Sequence, residues 1–464
     1  MAAESLPDET AVAAFRDGFR GLVLRPDDPG YDEARAVWNG MIDRRPALVA
    51  QCAGVADVID AVTFAREQDL LVAIKGAGHN IAGNAVCDDG LVIDLSGMRS
   101  VRVDPEARTA RVEPGTTLGM LDRETQAFGL AVPTGINSTT GVAGLTLGGG
   151  FGWLSRRDGL TVDNLRSVDV VTADGELRRA SERENPDLFW GIRGGGGNFG
   201  VVTSFEFDLH PVGPAVLAGL VVHPLADAPE LLRAYREFVA DSPRELTVWF
   251  VLRHAPPLPF LPEEVHGSKI LVFAACYAGD PDEGERLVRP LRDLGDPIAD
   301  VVAPQPFVEW QRAFDPLLTE GARNYWKSHN FTDLTDGMLD VFVEYAETMP
   351  AVESEVFVGQ LGGAVNDVPA DATAYPHRDA AFATNVHTRW TDPAMDDECI
   401  AWARDLHGAL APHATGGAYV NFISERTGEE HVAYGANYDR LVEIKNEYDP
   451  DNLFRTNQNV EPTL

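Results

Sequence analysis

The segment Leu70-Leu71-Val72-Ala73-Ile74-Lys75-Gly76-Ala77-Gly78-His79-Asn80 decides how the rest of the chain is read. Its first five residues form a short, unbroken apolar run, the pattern of a strand buried on both faces. A glycine-rich loop follows at once and carries a lone histidine. A second loop comes further along: Thr140-Gly141-Val142-Ala143-Gly144-Leu145-Thr146-Leu147-Gly148-Gly149-Gly150-Phe151-Gly152. Glycine costs backbone entropy wherever its freedom is not used. The usual use in such loops is to let backbone N–H groups close around a phosphate or a flat cofactor. His79 adds a nucleophile beside that group, so the pair of loops reads as a site for a covalently held flavin.

Around these loops, helix and strand signals alternate with little linker. Residues 55–68 read as an amphipathic helix and 91–95 as a buried strand. Residues 101–104 and 109–113 alternate with period two, as half-buried strands do. Asp174-Gly175 is a hairpin turn signal. Prolines at 211 and 214 mark a boundary, after which the pattern changes. Strand-like stretches (216–222, 246–253, 270–277, 355–361, 383–390) then alternate with helical ones (228–240, 281–294, 334–348, 398–410). That is the signature of an antiparallel sheet with helices on one side, an α+β layer. The tail, 434–459, reads as a helix followed by an Asp-Pro-Asp-Asn turn.

At 464 residues the chain is too long for one compact core. No apolar run approaches the roughly 20 residues that cross a bilayer. The stretch 1–10 is acidic, with neither basic head nor apolar core, so a cytoplasmic location is the expectation. Cys52, Cys87, Cys276 and Cys399 are scattered and read as small buried hydrophobes, neither disulfides nor zinc ligands. The net charge of −34 excludes nucleic acid and anionic lipid as partners. Only Lys75, Lys269, Lys327 and Lys445 are lysines; that scarcity, beside many acids, suggests adaptation to high salt, which would screen the self-repulsion.

Gly195-Gly196-Gly197-Asn198-Phe199-Gly200 has G-x-G-x-x-G spacing, but a helical stretch precedes it and a strand follows. A dinucleotide loop needs the reverse order. The run is therefore expected to pack a helix against a strand.

Taken in order, several motifs carry a resemblance: Gly76-Ala77-Gly78-His79-Asn80, the loop 141–152, Asn185-Pro186-Asp187-Leu188-Phe189-Trp190, and the run 193–203. Near the end come Tyr434-Gly435-Ala436-Asn437-Tyr438, Tyr448-Asp449-Pro450 and Asn457-Gln458-Asn459. Together they resemble the berberine-bridge-enzyme-like group of FAD-linked oxidases in the vanillyl-alcohol-oxidase (PCMH-type) flavoprotein superfamily, bacterial members above all. The resemblance implies an α+β fold. A PCMH-type FAD-binding domain of two α/β subdomains is split between 1–212 and 416–464. Residues 213–415 form an antiparallel substrate sheet flanked by helices.

The resemblance further implies that His79 bonds the flavin 8α-methyl. Many members add a second link through a cysteine; Asn137 stands at that position here, so a single link is expected. Lys75 replaces a common arginine and would keep a cation near the pyrophosphate; Ala77 replaces a common glycine. The backbone of Lys75, Gly76, Ala77, Gly78 and Asn80, and of Thr140, Gly141 and Gly144 with Gly149 in the same loop, is expected to hold FAD. Val202 is expected at the adenine, and Asn457 and Asn459 at the pyrimidine edge of the flavin. Tyr419 and Asn421 match a Tyr-x-Asn stretch that reaches the flavin, which makes Tyr419 the first candidate for base or flavin contact. Val142 and Leu145 near the ring would govern oxygen access.

For His254, Glu355, Gln360 and His387 in the sheet strands, period two leaves pocket and solvent equally open. The activity implied is hydride abstraction from a C–H beside oxygen or nitrogen of a small organic substrate, with O2 reoxidising the flavin. A dehydrogenase, an oxygenating or cyclising tailoring enzyme, and a non-catalytic flavin-binding protein are the alternatives.

Overall fold

The computed structural model describes residues 8–425 and 430–463. Most of the acidic stretch 1–10 lies outside them.

Strands Leu48–Gln51 and Val72–Lys75 run parallel to Leu91–Asp94, which lies between them; Leu22–Leu24 pairs antiparallel at the edge. Helix Val55–Glu67 makes the crossover and buries Val58, Ala61, Val62 and Ala65. A crossover of this kind leaves the loop after Val72–Lys75 at the carboxyl end of a parallel strand, where open α/β sheets bind ligands. A second sheet is wholly antiparallel, in the order Val101–Asp104, Thr109–Val112, Val201–Asp208, Leu165–Val171, Leu177–Ser181.

The third sheet is the largest. Its central path runs Ala215–Pro224, Lys269–Tyr277, Leu246–His254, Glu355–Gln360, Phe382–Trp390, Arg323–Phe331, all antiparallel. Helices Ala228–Ala240, Pro281–Arg292, Asp336–Ala346 and Asp396–Leu410 bury their apolar stripes against one face, where Val248, Phe250, Leu252, Val356 and Val358 meet them. The alternate residues point to the other face, toward the glycine loops. The strand Arg323–Phe331 carries no apolar alternation, and the sequence reading has no strand there. Asn324, Ser328, His329 and Asn330 are all buried polar residues.

Helix Pro186–Ile192 precedes the run 193–200 and Val201–Asp208 follows it, as expected. A Cβ at Gly194 would come within 2.4 Å of the Tyr375 nitrogen, and one at Gly195 within 2.3 Å of the Gly191 carbonyl, so these two glycines serve packing. The closing helix is Tyr438–Tyr448; buried Lys445 there donates to Asp449 Oδ2 (2.6 Å) and to the Asn198 and Phe454 carbonyls. The four cysteines are free and buried. Among the described residues, no helix is long and apolar enough to cross a membrane.

Candidate flavin and substrate site

Two adjoining cavities, about 220 Å³ and about 160 Å³, share Ile74, Gly76, Asn80, Ala85, Gly144 and Asn421 in their walls. They form one cleft between the first glycine loop, the second loop, the inner face of the large sheet and the Tyr419–Phe422 segment.

The first loop opens the cleft with its backbone. Among the described residues, no protein group accepts the N–H of Gly76, Ala77, Gly78, His79 or Asn80, nor those of Ala143 and Gly144 in the second loop. Main-chain donors left unpaired in a folded interior require a partner. Gly78 has φ +73°, and a Cβ on Gly144 would meet no protein atom within 4 Å, so that position is open on its cleft side. At the far end, Thr456 Oγ1 and Asn457 Oδ1 are buried without partners, near Gly196, Gly197 and Val202. Two rows of free donors in a long cleft, ended by orphaned polar atoms, fit the phosphates and flat ring of FAD.

His79 lines the larger cavity. Its ring stacks on Trp38 (centroids 5.2 Å apart, 22° between planes), and Trp38 Nε1 donates to the Leu318 carbonyl at 3.0 Å. Burial lowers the His79 pKa to about 4, so the imidazole is neutral. Asn137 and Thr140 line the same cavity.

The large sheet supplies the opposite wall. Its register sets Arg253 across from Glu355, Glu355 across from His387, and His387 across from Trp326. The next row is Val251, Phe357, Asn385. Arg253 Nη1 donates to Glu355 Oε2 at 2.6 Å, and His387 Nδ1 lies 3.4 Å from Glu355 Oε1. Asn324 Nδ2 donates to the Ala322 carbonyl, so its Oδ1 accepts from His387 Nε2 at 3.0 Å. Burial alone would raise the Glu355 pKa; Arg253 foremost, then His387, overcomes it and holds the carboxyl at about 2. Burial lowers the His387 pKa against the pull of Glu355.

Of the four residues whose direction period two left open, Glu355 and His387 face the cleft. Gln360 lies on the helix side, where it donates to the Val239 carbonyl and Ser242 Oγ. His254 follows Arg253 and points away with it alternating.

Gly76, Ala77, Gly78, Asn80, Thr140, Gly141, Gly144, Val202 and Asn421 all line the cleft. Four expectations need correction. Lys75 Nζ is buried against the Ala34 carbonyl (2.6 Å) and Asp94 (3.9 Å), so its charge ties the loop to the sheet and does not reach the cleft. Gly149, at φ +119°, lies under two rings: a Cβ would come within 2.9 Å of Tyr375 and 3.4 Å of Tyr419. It permits close packing and lines neither cavity. Asn457 sits beside Gly197 at the end of the cleft away from His79, and Asn459, whose Oδ1 is buried without a partner, lines neither cavity. Tyr419, in a 3₁₀ turn segment, presents its ring to the cleft, but its hydroxyl accepts from Gly150 N (3.0 Å) and Asn421 Nδ2 (2.9 Å). Burial pushes its pKa up to about 12, which disfavours it as a base.

The sequence reading also missed the aromatic walls Trp38, Trp249, Trp326 and Phe357. For Trp249 and Phe357 the strand periodicity was visible, but not the face that meets the loops; Trp38 lies outside the strands and Trp326 in a strand without apolar alternation.

Fold and site together define an α+β flavoprotein in which the glycine loops face a large antiparallel sheet across one cleft. Residues 46–181 match the family described as FAD binding domain, and residues 418–461 match berberine and berberine-like proteins. The (R)-6-hydroxynicotine oxidase of Paenarthrobacter nicotinovorans is 32% identical over 96% of this chain and 97% of its own. A FAD-linked oxidoreductase of Dictyostelium discoideum is 32% identical over 97% of both. Among solved structures, the xylooligosaccharide oxidase of Myceliophthora thermophila with xylobiose superposes with a TM-score of 0.86 at 28% identity, covering 98% of this chain and 100% of that one. The chain belongs to the berberine-bridge-enzyme-like family of FAD-linked oxidoreductases.

Proposed function

We propose that the protein is a FAD-dependent oxidase of a small, ring-bearing alcohol or amine, with the flavin tethered once, through His79. The single observation that carries the reading is the row Arg253–Glu355–His387 facing the unpaired N–H groups of Gly76–Asn80 across one cleft. FAD, when bound, supplies a two-electron acceptor for hydride and passes the electrons to O2. The chain's residues do the rest. His387 Nε2–H is committed to Asn324 and its Nδ1 faces Glu355 Oε1, so the Glu355–His387 pair acts as one acceptor for a substrate O–H or N–H proton. Glu355, ionised beside it, offsets the imidazolium charge that results, and Arg253 holds Glu355 in place.

The walls Trp38, Phe151, Trp249, Trp326, Phe357 and Phe422 offer broad apolar faces, with the buried indole N–H groups of Trp249 and Trp326 unpaired, which favours a flat ring that stacks and accepts a hydrogen bond. A neighbouring apolar void of about 50 Å³, sharing Ile136, Trp249, Leu318, Glu355 and Phe357, extends the same preference. The division of labour proposed is that 1–212 and 416–464 hold the flavin while 213–415 roof it. The large sheet's span from Ala215–Pro224 to Phe382–Trp390 supports this. The net charge of −34 supports work at high ionic strength.

The test has two arms. Acid denaturation should leave the yellow colour on the polypeptide, with flavin mass on the peptide containing His79 and none on that containing Asn137. Under nitrogen, aromatic secondary alcohols and cyclic amines should bleach the flavin, and air should restore it with peroxide formed. Colour released by acid removes the tether; a chromophore that no donor in a broad panel bleaches favours flavin binding without turnover.

A further inference from the structure

The atoms around His79 fix more than its position. The Thr139 backbone N–H donates to Asn137 Oδ1 at 3.0 Å, which identifies that amide atom as the oxygen, because a main-chain N–H can only donate. The Thr139 hydroxyl lies 2.7 Å from the same oxygen, which has no proton of its own, so the hydroxyl proton points there. Thr139 Oγ1 is also 3.0 Å from His79 Nε2. With its one proton engaged, the hydroxyl can only accept from His79, so the ring hydrogen is on Nε2. A neutral imidazole carries one such hydrogen. Nδ1 therefore holds a lone pair, and among the described residues nothing donates to it. Stacking on Trp38 fixes the plane of the ring.

We propose that Asn137 and Thr139 act as a tautomer lock, holding His79 with Nδ1 as the free nucleophilic nitrogen and so choosing Nδ1 as the atom bonded to the flavin. The proposal rests on the covalent reading above. Asn137, which stands where relatives place a second, cysteine link in the resemblance, thereby serves the first link instead. In the attachment, a C–H bond of the 8α-methyl breaks and its proton leaves to solvent. The Nδ1 lone pair forms the new N–C bond, and the Nε2 proton is then released to solvent. The two electrons of the broken C–H bond stay in the ring system, which is left two-electron-reduced; dioxygen takes them as hydrogen peroxide forms. Thr139 and Asn137 are positioning residues: they act through His79.

The full-length chain, produced under riboflavin limitation, is mixed with FAD, and acid-precipitable flavin is followed over time. The flavinyl peptide from the wild type is then examined by NMR for the alkylated nitrogen. The expected results are linkage at Nδ1, attachment about tenfold slower in Thr139→Val (the worth of one hydrogen bond to the reacting ring), and a near-wild-type rate in Thr139→Ser. Asn137→Ala should fall between, because a freed threonine hydroxyl can donate to Nε2 and support the wrong tautomer. Linkage at Nε2, or a Thr139→Val rate equal to wild type, overturns the lock while leaving the tether intact. Flavin that never becomes acid-precipitable in the wild type overturns the tether itself, and the lock with it. Should Thr139→Val fail to fold, the linkage isomer of the wild type still decides.

Discussion

Replacing Glu355 with glutamine removes one formal charge from the cleft wall and leaves the side chain's shape. The carboxyl is held at about 2, against 4.5 for an unperturbed glutamate. At about 1.4 kcal/mol per unit, the ionised form is worth about 3 kcal/mol to the folded state. The side chain is only 13% exposed and Arg253 10%, so little of this is screened. The sign follows from the depressed folded-state value. The contribution is complete above the unfolded pKa of 4.5 and fades as pH falls toward about 2. Glu355→Gln should therefore cost about 3 kcal/mol at pH 7, and the gap to wild type should narrow by pH 3.

The same change withdraws the group that holds the His387 pKa up, so the base weakens; flavin reduction should slow by about a hundredfold. Urea unfolding followed by tryptophan fluorescence at the two pH values reads the stability, and anaerobic stopped-flow reduction reads the chemistry. A stability cost under about 1 kcal/mol at pH 7, or a gap that widens toward pH 3, would refute the electrostatic account. Full stability loss with unchanged reduction would refute the role of the Glu355–His387 pair.

Gly144→Val should fold, since a Cβ there meets no protein atom, yet bound flavin should fall by about tenfold or more because the residue lines both cavities. Absorbance of the purified protein beside its thermal midpoint checks this; normal flavin content would move the cofactor elsewhere. Tyr419→Phe leaves the buried Gly150 N–H unpaired at a cost of about 1–3 kcal/mol, while flavin reduction should change by less than about threefold. A hundredfold loss with its pH profile abolished would restore Tyr419 as the base.

Particular elements show where a one-dimensional reading suffices. Helix Val55–Glu67 and strand Val72–Lys75 are encoded by local periodicity, and the loop after them by glycine's freedom to turn, so both were legible to within a residue or two. The strand Arg323–Phe331 was not. Its buried face is polar, with Asn324 paired to Asn39 and to His387, and hydrophobic patterning has nothing to register there. Lys75 shows a subtler limit: the sequence places a cation beside the loop, but the side chain's direction depends on Ala34 and Asp94, which only folding brings near.

The sequence by itself determined the backbone of the candidate site: two glycine loops, with a histidine in the first. Those features act through short-range geometry and need no distant partner. Tertiary structure alone decided the opposite wall of the cleft. Arg253, Glu355, His387 and Trp326 come from four strands, and only the pairing register sets them in one row. A slip of one residue in any strand would turn its member of that row to the helix side. Register is a long-range property of the sheet, so the chemistry of that wall could not be read along the chain.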